Sequence, residues 1–190
     1  MRERYGMEFS RREAIRIGAI TALGLGSMLT AKASTAYDID FGVGATLDRF
    51  YSRGPWARGF AQRTAGILVF PTIVKAGFGF GGEYGEGSLL IRGRPAEYYN
   101  TVSASFGFQL GAQARSVIIM FMTPDALEGF RIKDGWKVGV DGSVAIIAVG
   151  AGGAVDTNTI HSPIVGFIFD QKGLMYNLTL EGSKISRIYR

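Results

Sequence analysis

Cysteine is missing altogether from the 190 residues, and histidine occurs once, at His161. The first absence excludes disulfides, thiolate metal sites, cysteine nucleophiles and lipid attachment at a cysteine. The second leaves almost no room for a zinc site. Proline is scarce, at 5 residues, while glycine is abundant, at 28. There is no collagen period, no low-complexity block and no repeat of solenoid length, only a recurring alternation of glycine with apolar residues. With 47% hydrophobic and 19% charged residues the composition is globular, and the length suits one domain with its own core.

An excess of positive charge is also missing from most of the chain. The net charge is +5, but residues 1–36 hold six basic and three acidic residues, which leaves 15 basic and 13 acidic residues for Tyr37–Arg190. A body this close to neutral has no bulk nucleic-acid signature, so any basic site has to be a local patch.

Residues 1–36 read as an address. Ser10-Arg11-Arg12-Glu13-Ala14-Ile15-Arg16 precedes the 14 uncharged residues Ile17–Thr30, and Ala31-Lys32-Ala33 follows, with Ser34-Thr35-Ala36 behind it. A charged region, a short apolar region and an A-x-A site make a secretory signal peptide, with cleavage expected after Ala33 or Ala36. The paired arginines resemble the twin-arginine export motif S-R-R-x-F-L-K, with Ala14 and Ile15 in place of the Phe-Leu pair. An N-terminal membrane anchor is the competing reading, but the uncharged run falls short of the ~20 residues that span a bilayer. The expected mature protein, 37–190, is periplasmic or secreted.

Two short helical patterns open the body. In Ala45–Arg53, Leu47, Phe50 and Tyr51 share a face, with Arg49 and Arg53 on another. Gly54 can close that helix and Pro55 can open the next. In Pro55–Ala65, Trp56, Ala57, Phe60, Ala61 and Ala65 lie on one half of the wheel, and Arg58, Gln62 and Arg63 occupy the rest, a basic amphipathic pattern. From Gly66 the period changes to two. Ile67–Phe70 reads as a buried strand ended by Pro71, and Val74–Tyr84 and Ser88–Arg92 read as a hairpin turning at Gly85-Glu86-Gly87. Tyr98–Met122 is strand-rich, with a division expected near Ala112–Ser116. Thr123-Pro124-Asp125 starts a helix with a capping threonine, proline at the first position and an acid on the positive end of the dipole. Trp136–Val149 is again strand-like, with Asp141-Gly142 as a hairpin signal that a strand could also run through. Gly150–Ser162 reads as a loop, and Ile164–Asp170 and Leu174–Leu180 pair across Gln171-Lys172-Gly173. No linker divides this body. The expected fold is a single α+β domain, with a strongly curved, glycine-rich antiparallel sheet, partly barrel-like, and a few short helices.

The run Gly77-Phe78-Gly79-Phe80-Gly81-Gly82 satisfies G-x-G-x-x-G. A dinucleotide site needs that motif between a strand and a helix, and Glu83-Tyr84-Gly85-Glu86-Gly87 cannot begin a helix. Kinase chemistry fails too, for want of H-R-D and D-F-G motifs. Gly150-Ala151-Gly152-Gly153 leads to Pro163 rather than to a helix. The structural alternative is stronger: a strand face without side chains lets another strand, helix or ring lie directly on its backbone, and permits sharp coiling. Other constellations are thin. His161, Ser162 and Asp156 lie in one loop without a nucleophile elbow. Glu83 and Glu86 are either paired carboxylates or the solvated acids of an exposed turn. Asp38, Asp40 and Asp48 are too few and too loosely framed for calcium. No cofactor, metal site or catalytic residue is implied.

Residues Gly66–Gly87, GILVFPTIVKAGFGFGGEYGEG, closely resemble the signature of the SYLF family, also called the Ysc84 actin-binding domain. The resemblance continues through Ser105–Gln113, Phe121-Met122, Val138–Val149, Lys172-Gly173-Leu174 and Leu180-Glu181-Gly182, and covers Ala45–Ile188. It implies lipid binding rather than catalysis. Eukaryotic relatives bind phosphoinositide membranes, partly through an N-terminal amphipathic helix, and some bind and bundle actin. Bacterial relatives are usually exported, often as lipoproteins. This chain lacks the lipoprotein cysteine and has no SH3 or FYVE companion, and an exported bacterial protein meets neither actin nor phosphoinositides.

The expected ligand is therefore an anionic phospholipid surface, bound peripherally through Arg49, Arg53, Arg58 and Arg63 with Trp56 and Phe60. Lys75, Arg92 and Arg94 extend the patch only if the fold brings them close. Two alternatives stay open. The apolar helix faces either insert into lipid or cover the sheet and leave the arginines as a rim that still touches head groups. The protein is either a lipid-binding module or an envelope domain that binds a protein partner and no lipid.

Overall fold

The computed structural model describes residues 33–150, 161–173, 180 and 182–190. The expected leader up to Lys32, the loop residues 151–160 with Asp156, and residues 174–179 lie outside them. The elements are α1 (Ala36–Tyr51), α2 (Pro55–Ala61), β1 (Gly66–Ile91), β2 (Arg94–Phe121), α3 (Pro124–Arg131), β3 (Trp136–Lys137), β4 (Ala145–Ala148), β5 (Ile164–Gly173) and β6 (Lys184–Ile188).

β2 is the spine of the sheet. β1 runs antiparallel along one side of it, from Ile91 opposite Arg94 to Gly66 opposite Phe121. On the other side β6 pairs with Tyr98–Val102 and β5 with Gln113–Phe121. β3 extends the sheet beyond β6. β4 joins β5 in parallel, the one departure from an antiparallel sheet among the described strands.

Four boundary expectations fail. Gly85-Glu86-Gly87 is strand, and β1 turns instead at Arg92 and Gly93, with φ of 54° and 75°. Positive φ at both central residues suits a two-residue hairpin, because that backbone twist matches the twist of the strands. Pro71 does not end its strand either. β1 pairs with β2 alone, and a register shift between Phe70 and Ile73 absorbs the imino residue. Likewise β2 runs on past Ala112–Ser116, and β5 runs on through Gln171–Gly173. Asp141-Gly142 does turn the chain: the Asp141 carboxylate accepts from the Lys137 N–H at 2.7 Å and pairs with the Lys133 ammonium at 2.6 Å.

The sheet curls back on itself. Glu83 lies ten residues beyond Ile73 along β1, about 33 Å in an extended strand. Yet Glu83 takes two hydrogen bonds, of 2.7 and 2.9 Å, from the guanidinium of Arg115, the residue paired with Ile73. Glycine makes the overlap close. A Cβ on Gly85 would lie 2.8 Å from Ile73 Cγ1 and 2.9 Å from the Thr72 carbonyl oxygen, and one on Gly87 would strike the Val69 carbonyl. The close backbone approach expected of the Gly77–Gly82 run falls instead on Gly85 and Gly87, while a Cβ on Gly82 would meet open space.

The near part of the sheet, Gly66–Ile73 with Val117–Phe121 and β5, is packed on both faces. Leu68, Phe70, Val117, Ile119 and Phe121 point into the curl, where they meet Leu89, Tyr99, Trp136 and, from α3, Phe130. Val69, Ile118, Met120, Val165, Phe167 and Phe169 point outward beneath α1 and α2. Helix α1 starts nine residues earlier than its apolar pattern predicts. Thr35 and Asp38 form a reciprocal capping box there, and the small Gly42 lets the helix sit on Pro71, 3.1 Å from where its Cβ would be. Helix α3 is capped as expected, by the Thr123 hydroxyl accepting from the Ala126 N–H. Residues Ser34–Arg190 form one compact unit, a single α+β domain around a curled sheet.

Candidate functional site

The helix pair α1–α2 spends its apolar face on the sheet. Phe50 and Phe60 are fully buried, and Phe167 of β5 lies 5.0 Å from the Phe50 ring, 5.6 Å from Trp56 and 5.5 Å from Phe60. Burying each such side chain stabilises the docking by roughly 1.5–3 kcal/mol. Trp56 and Phe60 are therefore anchors of the helices and are not presented outward. Insertion of this face into lipid would require α1 and α2 to leave the domain.

The arginines form a rim around the anchors. Arg49 and Arg53 both grip Asp170, at 2.6 and 2.5 Å, and Asp170 itself sits at φ 53° near the end of β5. The Arg53 guanidinium lies 5.8 Å from the Phe169 ring centroid, Arg58 lies 5.0 Å from Tyr51, and Arg63 lies 5.1 Å from Phe60. Each of these three guanidinium groups lies over an aromatic ring, while Arg58 and Arg63 remain exposed residues. Burial raises the Tyr51 phenol above its usual range, Arg58 opposes the rise, and Asp48 adds to it. Four arginines set against Asp48 and Asp170 leave two net positive charges on this surface.

The remaining expected site residues are elsewhere. Lys75 points into the curl and is 6% exposed, so it cannot extend a surface patch. Arg92 and Arg94 are exposed at the β1–β2 hairpin tip, and no described contact joins them to the helices. Sequence reasoning missed Tyr37 and Phe41, which are 78% and 71% exposed on the outer face of α1, their rings stacked at 6.5 Å. Their i,i+4 spacing was the available signal, and the helix start placed at Ala45 hid it.

The minor constellations separate. Glu83 is buried against Arg115 inside the curl. Glu86, also buried, takes hydrogen bonds from Tyr84, the Ser34 N–H and Arg190. Burial pulls the Glu86 carboxyl upward, but those hydrogen bonds outweigh it and hold it below the ordinary range. The two acids are neither a pair nor an exposed turn. Ser162 donates to the Ile164 carbonyl, His161 is exposed, and Asp156 is outside the described residues. Asp38 caps α1, Asp40 accepts from the Tyr98 hydroxyl, and among the described residues no group of three or more acids and histidines could hold a metal. No described helix is long and apolar enough to cross a membrane.

The sequence model of the Ysc84 family, described as Las17-binding protein actin regulator, matches residues 102–188. Residues 102–188, 87 of the 190, are similar to the Ysc84 (SYLF) domain. The matched residues run from the middle of β2 through α3 to the end of β6, and so hold the spine of the sheet and its inner wall. The Ysc84 match leaves out α1, α2 and β1, where most of the candidate docking surface lies. Ysc84 domains are a binding-type family rather than an enzyme family. No curated protein matches the chain.

Proposed function

We propose that this protein is an exported, non-enzymatic module that associates peripherally with anionic phospholipid surfaces, in the periplasm or outside the cell. The observation that carries the reading is the division of labour in α1–α2. Their apolar face is committed to the sheet, while Arg49, Arg53, Arg58 and Arg63 remain on the rim and Tyr37 and Phe41 stand outward on the same helix. Docking then needs no rearrangement. Each net positive charge near an anionic leaflet contributes roughly 1 kcal/mol. Insertion of the Tyr37–Phe41 pair adds roughly 1.5–3 kcal/mol per ring. Association entropy removes part of that sum, so binding is reversible.

Sedimentation with vesicles tests this. The expected result is binding to phosphatidylcholine vesicles containing phosphatidylglycerol, weakening as salt rises from 50 to 300 mM. Loss is expected when Arg49, Arg53, Arg58 and Arg63 are changed together to Glu, and partial loss in Tyr37→Ser/Phe41→Ser. Failure to bind at either salt concentration overturns the reading and favours an envelope domain with a protein partner, the kind of partner the family description names.

A further inference from the structure

The inward face of the β1–β2 ribbon changes character partway along. From its C-terminal end, the inward positions of β2 are Phe121, Ile119 and Val117, and then Arg115 and Gln113, all buried. Lys75 pairs directly with Gln113, and Ile73 with Arg115. Residues opposite one another on antiparallel strands share a face, with Cβ atoms roughly 4.5–5.5 Å apart. Lys75, Gln113 and Arg115 therefore stand together inside the curl.

Their charges are not equally answered. Arg115 has Glu83, bound through both carboxylate oxygens. Lys75 has no hydrogen bond or ion pair among the described residues, although it is 6% exposed. Gln113 is 2% exposed, and neither its amide nitrogen nor its amide oxygen has a partner among the described residues. Buried amides without partners are costly, and each specific case calls for an explanation. Packing supplies none here, because Met and Leu would fill the same positions without the penalty.

The pattern of unmet groups describes what would meet them. Lys75 and the Gln113 amide nitrogen offer donors beside a net positive charge. The Gln113 oxygen, in the same place, needs a donor. A carboxylate supplies acceptors only. A protonated phosphate, or a phosphate ester carrying a hydroxyl, supplies anionic oxygens and an O–H together.

We propose that Lys75 and Gln113 bind a phosphate group inside the curled sheet, beside the Arg115–Glu83 pair. This site faces away from the α1–α2 rim and does not depend on the surface reading. The phosphate comes either from a lipid head group or from a soluble ester.

Calorimetry on the full chain at pH 6, with glycerol 3-phosphate, inorganic phosphate and sulfate as probes, tests the proposal. Saturable binding of a phosphate probe is expected, with sulfate at least tenfold weaker. Lys75→Met and Gln113→Leu are each expected to weaken binding at least tenfold while leaving the melting temperature unchanged or higher. Lys137→Gln, at an exposed lysine outside both surfaces, is expected to bind like the parent chain. If a variant does not fold, the side-chain amide protons of Gln113 in the unaltered chain report instead, by shifting saturably with phosphate. Flotation with vesicles containing phosphatidic acid separates the sources: binding that Lys75→Met abolishes and the four-arginine variant keeps assigns the phosphate to a lipid. The proposal is overturned if neither soluble phosphate nor phosphatidic acid binds, or if Lys75→Met and Gln113→Leu bind as tightly as the parent chain. Vesicle binding lost only in the four-arginine variant, with no calorimetric binding of soluble phosphate, supports the surface reading and sinks this one.

Discussion

In the near part of the β1–β2 ribbon the inward side chains are Leu68, Phe70, Val117, Ile119 and Phe121, whereas farther along the same two strands they are Lys75, Glu83, Gln113 and Arg115. Both groups are shielded from water and both sit on one continuous face. The near part gains free energy from every side chain it buries. The far part does not: removing charges from water is expensive, and a buried Arg–Glu pair roughly breaks even against an apolar pair of the same shape. The contrast teaches where stability resides. The near part, clasped by α1, α2 and α3, holds the domain together, and the far part is an interior whose polarity stability alone does not explain.

The contrast breaks most sharply at two positions. Phe167→Ala removes the ring on which Phe50, Trp56 and Phe60 all pack, and is expected to cost about 3–5 kcal/mol in urea denaturation. Restoring it elsewhere is not expected, because the lost contacts are many and shared. Glu83→Ala in the far part is expected to cost a similar amount, about 3–5 kcal/mol, because it strands a buried guanidinium. There, however, the double variant Glu83→Leu/Arg115→Met is expected to recover most of the loss. If the double variant is as unstable as the single one, the far part is structural after all.

Gly87→Ala probes the seam where the two parts overlap. Its added methyl meets the Val69 carbonyl and the Phe70 ring, so a loss of about 1–3 kcal/mol is expected in the same assay. Gly82→Ala, on the same strand with open space at its Cβ, is the control and should stay within about 0.5 kcal/mol.

The near part was legible in sequence where chemistry is local. The Thr123-Pro124-Asp125 helix start, the apolar faces of α1 and α2 and the alternation in Tyr98–Met122 each depend on neighbours a few residues away. The far part was not. Glycine at positions 85 and 87 signals either a turn or a close approach, and only the fold decides that Val69 and Thr72 lie beneath them. Lysine is usually a surface residue, and the burial of Lys75 follows from register with Gln113, 38 residues later. The four arginines fall in or just after the two helices, but Asp170, which ties Arg49 and Arg53 together, lies more than a hundred residues away and carries no local signal.

Asp170 also permits the mildest test, because it repeats the chemistry of Glu83 in water. Its partners Arg49 and Arg53 are 47% and 23% exposed at their side chains, whereas Arg115 is 2% exposed. Solvent screens the outer pairs, so Asp170→Asn is expected to cost about 1 kcal/mol or less, shrinking further at high salt. Asn is the suitable replacement because it tolerates the positive φ that most side chains resist. The same change releases Arg49 and Arg53 from their carboxylate and adds one net positive charge to the rim. Binding to phosphatidylglycerol vesicles should therefore tighten, by about fivefold for a charge worth roughly 1 kcal/mol near the leaflet, even as the fold becomes slightly less stable. A variant that loses stability and vesicle affinity together would show that the arginines must be pinned in place to act, and that the rim works by shape rather than by charge.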